Sequence, residues 1–343
     1  MKNKLVLVTG GTGYIGSHTT VELMKEGFDV VIIDNLSNSE ESVLDRITTI
    51  TGRRPYFEQF DICDKVKLEN FFRVYKKLDA IIHFAAYKAV GESIEKPLMY
   101  YENNLTTLMN VLQNMVQFKV PYFVFSSSAT VYGQPDELPV NENAPFKPAD
   151  SPYGSTKQIA EEVIRDTVKA NPELHSISLR YFNPIGAHES ALIGELPRGI
   201  PNNLVPFITQ TAIGVRGELK VFGDDYHTPD GTAIRDYINV VDLAQAHVVS
   251  IKRMIEKKGK SNLEIFNLGT GKGSSVMEIV KAFEKSTGQK LNYKIVGRRP
   301  GDVESVYADT KYANSELGWK AEIGLEETLQ SAWNWEKFIR KEN

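Results

Sequence analysis

Leu5-Val-Leu-Val-Thr-Gly10-Gly-Thr-Gly13-Tyr-Ile-Gly16 carries an apolar run straight into glycines at positions 10, 13 and 16. Residues 5–8 have the length and β-branched character of a buried strand, and residues 14–26 read as the helix that follows, ended by Gly27. Small residues at the three positions permit a tight turn and let the backbone approach a pyrophosphate at the helix N-terminus. A glycine triplet alone is weak evidence. Here it lies between a strand and a helix, and a second apolar run, 30–33, ends in Asp34 at the distance expected of a carboxylate that binds a ribose diol. The charge on Asp34 would repel a 2′-phosphate, so the pattern favours NAD over NADP.

Further runs at 56–60, 80–84, 122–125 and 177–179 have the same strand character, and helical stretches start near Pro97 and Tyr153. Alternating β and α elements predict an α/β fold of the Rossmann type: a doubly wound parallel sheet with ligands at the carboxyl ends of its strands. Beyond Arg180 the chain turns rich in Pro, Gly and Asn, as loops do. A helix over 240–257 and a strand over 264–268 could rejoin the sheet. The expected organisation is therefore a dinucleotide-binding domain over 1–180, joined by 237–270, with 181–236 and 271–343 forming a smaller C-terminal α/β domain for substrate. Gly269-Thr-Gly271-Lys-Gly273 also lies between a strand and a helix, but no strand ending in an acid follows it, so it reads as a turn.

The bulk properties narrow the partners. The 343 residues carry 40 basic and 44 acidic side chains, a net charge of -4, which gives no reason to expect nucleic acid. Hydrophobic residues at 41% and charged residues at 24% fit an ordinary globular protein. No segment approaches a membrane span, and a single cysteine, Cys63, excludes an intramolecular disulfide; the expectation is a cytoplasmic protein. One cysteine and six histidines show no metal-ligand spacing, so no metal is expected.

Tyr153-Gly-Ser-Thr-Lys157 puts a phenol and an ammonium on one face of a helix. A nearby cation should lower the tyrosine pKa and make the phenol a usable base. Tyr307 and Lys311 have the same spacing, so position must separate the pairs. Tyr153 opens a helix after a strand that runs into Ser126-Ser-Ser128, and a serine at a strand's carboxyl end faces the ligand. Ser128, Tyr153 and Lys157 are the catalytic candidates.

Together these features resemble the extended short-chain dehydrogenase/reductase family. Phe84-Ala-Ala-Tyr-Lys88, Ser151-Pro-Tyr-Gly154, Arg180-Tyr-Phe-Asn183, Gly199-Ile-Pro-Asn-Asn-Leu204 and Arg235-Asp-Tyr-Ile238 resemble its nucleotide-sugar 4-epimerases across nearly the whole chain. The resemblance implies interconversion of UDP-glucose and UDP-galactose through a transient 4-keto sugar, with NAD regenerated in each turnover. It implies a cofactor site of Gly10, Gly13, Tyr14, Ile15, Gly16, Asp34, Asn35, Leu36, Ser37, Asn38, Ser39, Asp61, Ile62, Phe84, Ala85, Ala86, Lys88, Asn103, Tyr153, Lys157 and Phe182. It implies a UDP-sugar site of Ser128, Tyr153, Asn183, Asn203, Leu204, Phe222, Arg235, Arg299, Asp302 and Val306, with the two arginines on the diphosphate. It also implies a homodimer through helices at about 97–117 and 153–169.

Two positions depart from the relatives. Tyr87 replaces an aliphatic residue. Val306 stands where relatives carry either tyrosine or a small residue beside the sugar, which implies acceptance of UDP-N-acetylglucosamine and UDP-N-acetylgalactosamine unless Tyr307 refills the space. Two rivals are weaker. A nucleotide-sugar 4,6-dehydratase needs an extra acid/base pair, and Ala129-Thr130 after Ser128 supplies no carboxylate. A non-catalytic NAD sensor needs the glycines and Asp34 but has no use for Ser128, Tyr153 and Lys157 together.

Overall fold

All six apolar runs of the first half become strands: β1 (Leu5–Thr9), β2 (Asp29–Asp34), β3 (Tyr56–Gln59), β4 (Ala80–His83), β5 (Tyr122–Ser128) and β6 (His175–Tyr181). The computed structural model describes residues 4–299 and 303–342. The strand expected near 264–268 forms as β10 (Leu263–Leu268) and pairs with β6. The resulting seven-stranded sheet has the order β10-β6-β5-β4-β1-β2-β3, and every neighbouring pair is parallel. The chain winds outward from β1 to β3, returns to β4 beside β1, and winds the other way. The crevice between the ends of β1 and β4 is thus where the winding reverses, the place where such sheets bind ligands.

Side-chain alternation builds a core on each face. Val6, Val8, Val30 and Ile32 face helices α1 (Tyr14–Lys25), α2 (Ser42–Thr51) and α8 (Val240–Ile255). Leu7, Val31, Ile33, Ile81 and Phe123 face α3 (Lys65–Val74), α5 (Pro97–Phe118) and α6 (Pro152–Ala170). These side chains are essentially fully buried, each contributing about 1.5–3 kcal/mol of transfer free energy. A short helix α4 (Val90–Glu95) precedes α5.

The remaining elements gather around a smaller sheet. β9 (Ile234–Asn239) is its central strand, flanked by β7 (Asn183–Ile185), β11 (Gly273–Ser275) and β13 (Ser305–Val306). A two-stranded sheet pairs β8 (Leu219–Phe222) with β12 (Tyr293–Val296). Helices α7 (Leu204–Ala212), α9 (Val276–Thr287) and α10 (Leu325–Glu342) pack there through Ile208, Ile279, Phe283 and Trp333. Within 237–270 the chain divides: β9 stays with the small sheet, while α8 and β10 join the large one.

Candidate active site

The glycine turn meets the far side of the crevice at close range. Gly10 has φ +70, and a Cβ on it would stand 2.9 Å from the Ala85 nitrogen. One on Gly16 would overlap the Gly10 carbonyl oxygen. Bare backbone is what lets the turn, the chain after β4 and the start of α1 lie together. Helix α1 begins after Gly13 with no side-chain cap, so its first amides, from Tyr14, Ile15 and Gly16, are oriented as donors for a diphosphate. The residues present therefore fit a dinucleotide.

Asp34 closes β2 beside this turn. Its carboxylate accepts from the Thr12 amide at 3.2 Å, the Leu36 amide at 2.9 Å and the Ser39 hydroxyl at 3.3 Å. Leu36 has φ 58, a tight bend that leaves Asn35, Ser37 and Asn38 exposed along the rim. Asn35 donates to Asp61 at 3.1 Å. Ile62 differs from its neighbours: its side chain is buried in the core, and its carbonyl accepts from Asn110 at 3.0 Å. On the other side of the crevice Phe84 lies against His247 at 4.8 Å between ring centres, and Asn103 donates to Asn104 at 3.0 Å. Ala86 is half-buried beside them. Tyr87 packs its ring against Tyr100.

The three catalytic candidates converge at the carboxyl end of β5. Ser128 is its last residue, and its hydroxyl accepts from the Thr130 amide at 3.2 Å. Ser151 caps α6 by accepting from the Gly154 amide at 3.2 Å, and Pro152 fills the first turn, which fixes Tyr153 at the helix entrance. The Ser128 hydroxyl stands close enough to the Tyr153 phenol to favour its ionised form. Lys157 is buried, donates to the Ser126 carbonyl at 2.5 Å, and lies 4.8 Å from the Phe125 ring centre and 5.8 Å from that of Tyr153.

One electrostatic expectation is overturned. Burial pushes the Tyr153 phenol above its usual range, with the Ser128 hydroxyl opposing; Lys157 does not lower it. Burial also pushes the Lys157 ammonium down to about 8, with Glu161 opposing. Desolvation penalises both charges, and the ammonium sits under the ring, bonded to a carbonyl, rather than at the phenol oxygen. His83, against Thr9 at 2.8 Å, is held neutral by burial, its pKa lowered to about 3.

Tyr307 and Lys311 form no such pair. The Tyr307 ring lies against Gly273, and Lys311 is exposed, 3.7 Å from Asp309.

The substrate candidates collect on the small sheet. Arg235 on β9 is the register partner of Val306 on β13, and Asn183 on β7 pairs with Tyr237 of the same strand. Phe222, 38% exposed at the end of β8, has the Arg299 guanidinium 5.7 Å from its ring centre. Leu204 packs on the core beneath α7. Asp302 lies outside the described residues. Val306 is buried against Val131, Tyr132 and Phe182.

Several residues of consequence escaped sequence reading. Glu195 accepts from Lys88 at 3.0 Å and from Asn203 at 2.7 Å, linking a cofactor candidate to a substrate candidate. Arg198 donates to the Ser37 carbonyl at 2.9 Å and to that of Ser39, tying the same segment to the Asp34 loop. Behind the catalytic residues Glu161 accepts from Arg180 at 2.7 and 3.0 Å and from Ser127 at 2.5 Å, all buried. Glu161 had a signal, lying one turn beyond Lys157 on the same face; Glu195 and Arg198 had none.

The family described as GDP-mannose 4,6 dehydratase matches residues 7–332. UDP-glucose 4-epimerase of Haemophilus influenzae is 50% identical over 332 residues, 97% of each chain. The structure of UDP-glucose-4-epimerase from Stenotrophomonas maltophila, with bound NAD and formylated UDP-arabinopyranose, superposes with a TM-score of 0.96 at 46% identity, covering 99% of this chain and 100% of that one. That of Bifidobacterium longum, in complex with NAD+ and UDP, gives 0.94 at 46% identity over 98% and 99%. The family match takes in enzymes that dehydrate, but the turn after Ser128 lacks the carboxylates, and the relatives at half identity are epimerases. The chain belongs to the UDP-glucose 4-epimerases of the extended short-chain dehydrogenase/reductase family.

Proposed function

We propose that this chain catalyses NAD-dependent epimerisation at C4 of UDP-hexoses, interconverting UDP-glucose and UDP-galactose. The observation that carries the reading is the convergence of Ser128, Tyr153 and buried Lys157 at the carboxyl end of β5, facing the crevice shaped by Gly10, Gly16 and Asp34. NAD supplies a reversible acceptor for the C4 hydride. Tyr153 takes the proton of the sugar 4-hydroxyl and later returns it, and Ser128 holds that oxygen by hydrogen bonding. Burial opposes a bare phenolate and Lys157 does not offset it here, so Tyr153 acts as a base only when further positive charge is brought beside it, which bound NAD+ would supply, while Lys157 ties the start of α6 to β5 through the Ser126 carbonyl.

The other contacts follow the fold. The glycine turn and Asp34 take the dinucleotide, within residues 1–180 and 237–270. Arg235 and Arg299 take the diphosphate of the UDP-sugar, within 181–236 and 271–343. Binding must fix the nucleotide and leave the hexose free to present either face. Small Val306, with Tyr307 turned toward Gly273, supports acceptance of N-acetylated UDP-hexoses too. A cytoplasmic location is part of the reading, supported by the single cysteine. Among the described residues no helix is long and apolar enough to cross a membrane.

Purified protein incubated with UDP-galactose should yield UDP-glucose. Tyr153→Phe should cut turnover by at least about 10²-fold while NAD remains bound. A 4-keto-6-deoxy product would indicate dehydration instead, and retained turnover in Tyr153→Phe would remove the assigned base.

A further inference from the structure

Asp236 is fully buried, one residue past Arg235 on β9. Both carboxylate oxygens are engaged. Oδ1 accepts from the Thr270 amide at 2.8 Å and the Thr270 hydroxyl at 2.7 Å; Oδ2 accepts from the Gly271 and Ala308 amides, each at 3.1 Å. The donors Thr270 and Gly271 belong to the second glycine loop, the one that reads as a turn in the sequence. The anion it cradles is the protein's own. The fit is tight enough to require Gly269, where a Cβ would overlap the Asp236 carboxylate and stand 2.8 Å from the Ala308 Cβ.

This carboxylate joins three chain segments distant in sequence. In the small sheet Arg235 has Ser274 of β11 as its register partner on one side and Val306 of β13 on the other. Asp236 grips the loop that leads into β11 and the chain two residues beyond Val306. It therefore holds both flanks of the strand that presents Arg235. Burying a carboxylate is costly unless its acceptors are filled, and here four donors fill them. An apolar side chain in its place would leave the Thr270, Gly271 and Ala308 amides unpaired, so the carboxylate is what ties these two segments to β9.

We propose that Asp236 is a positioning residue for the UDP-sugar pocket: its carboxylate clamps the two strands beside Arg235, fixing the aim of the guanidinium at the diphosphate and the depth of Val306 against the sugar. The inference rests on the assignment of Arg235 and Val306 to that pocket. The clamp stands in the small sheet, whereas the dinucleotide crevice lies between β1 and β4, so its loss should weaken UDP-sugar binding and spare the cofactor.

Asp236→Asn keeps the shape and turns one acceptor into a donor that faces amides. Titration calorimetry with UDP should show binding weakened by about tenfold, and the KM for UDP-galactose should rise by about as much, with kcat within about twofold and NAD content as isolated unchanged. Unchanged UDP affinity in a folded variant overturns the proposal. So does a parallel loss of kcat and bound NAD, which marks a general structural role. Should Asp236→Asn fail to fold, Thr270→Val removes one donor only; a UDP affinity equal to wild type then overturns the proposal, and a loss of about threefold supports it. A wild-type protein that binds UDP but turns over no UDP-galactose would refute the epimerase reading and leave the calorimetric comparison as the test of the clamp.

Discussion

Tyr153 and Tyr307 each stand four residues before a lysine, yet only the first pair comes together, at the carboxyl end of β5. The difference lies in what surrounds the cation. Lys157 is buried and bonded to a strand carbonyl, while Lys311 is exposed beside Asp309. Spacing told which atoms could meet; it could not tell which would lose their water, and desolvation is what moves both pKa values at Tyr153 and Lys157. Val306 is a case where residue identity was legible and its surroundings were not. Whether Tyr307 refills the space beside it depended on the direction of a single side chain, and the ring turns to Gly273. Val306→Tyr should therefore lower kcat/KM for UDP-N-acetylgalactosamine by at least about tenfold while costing only a few-fold on UDP-galactose, because a steric change of this size acts on the larger substituent. Comparable losses on both substrates would show that Val306 only packs the pocket wall.

Helix α6 carries Tyr153 and Lys157, the proposed base and its neighbour, at one end and is pinned from behind. Glu161, one turn past Lys157, is joined to Arg180 of β6 and Ser127 of β5, with Tyr132 also accepting from Arg180 at 2.9 Å. Both charged side chains are 3% exposed or less. Glu161→Gln leaves a buried guanidinium uncompensated and should destabilise the fold by about 3–5 kcal/mol, seen as a lowered thermal midpoint. Pairing Glu161→Leu with Arg180→Met removes both charges and should recover most of the loss. If the double substitution melts as low as the single one, unpaired charge is not the cause. At this scale the strands of the large sheet were legible because parallel, doubly covered strands are continuous apolar runs. Helices α2 and α3 were not singled out: α2 is rich in Thr and Ile, and each buries only two or three side chains. Strands β7, β11 and β13, of two or three residues, are too short for any periodicity to register, and they hold Asn183 and Val306.

The outer faces of α5 and α6 raise the question of assembly. On α5 the exposed side chains Leu98, Met109 and Val116 fall 11 and 7 residues apart, close to three and two helical turns, so they form one stripe. On α6 Ile159, Val163 and Thr167 follow at intervals of four, and a groove between the helices is lined by Met109, Leu112, Gln113, Val116, Val163 and Thr167. Such a two-helix apolar face suits a second copy of the same chain, each pair of helices packing on the other in a closed, self-complementary contact. The inner face of α6 bears Tyr153 and Lys157, so a partner pressed on its outer face would hold the catalytic helix against β5. Sedimentation of the wild type should give twice the 38.5 kDa chain mass. Met109→Glu combined with Val116→Glu places two charges in the stripe and should give a single chain at micromolar concentration, since desolvating unpaired carboxylates costs more than the lost apolar contact returns. The loosened α6 should then show a lower thermal midpoint. A wild type that sediments as one chain, or a doubly charged variant that still pairs, would place any association on another face of the molecule.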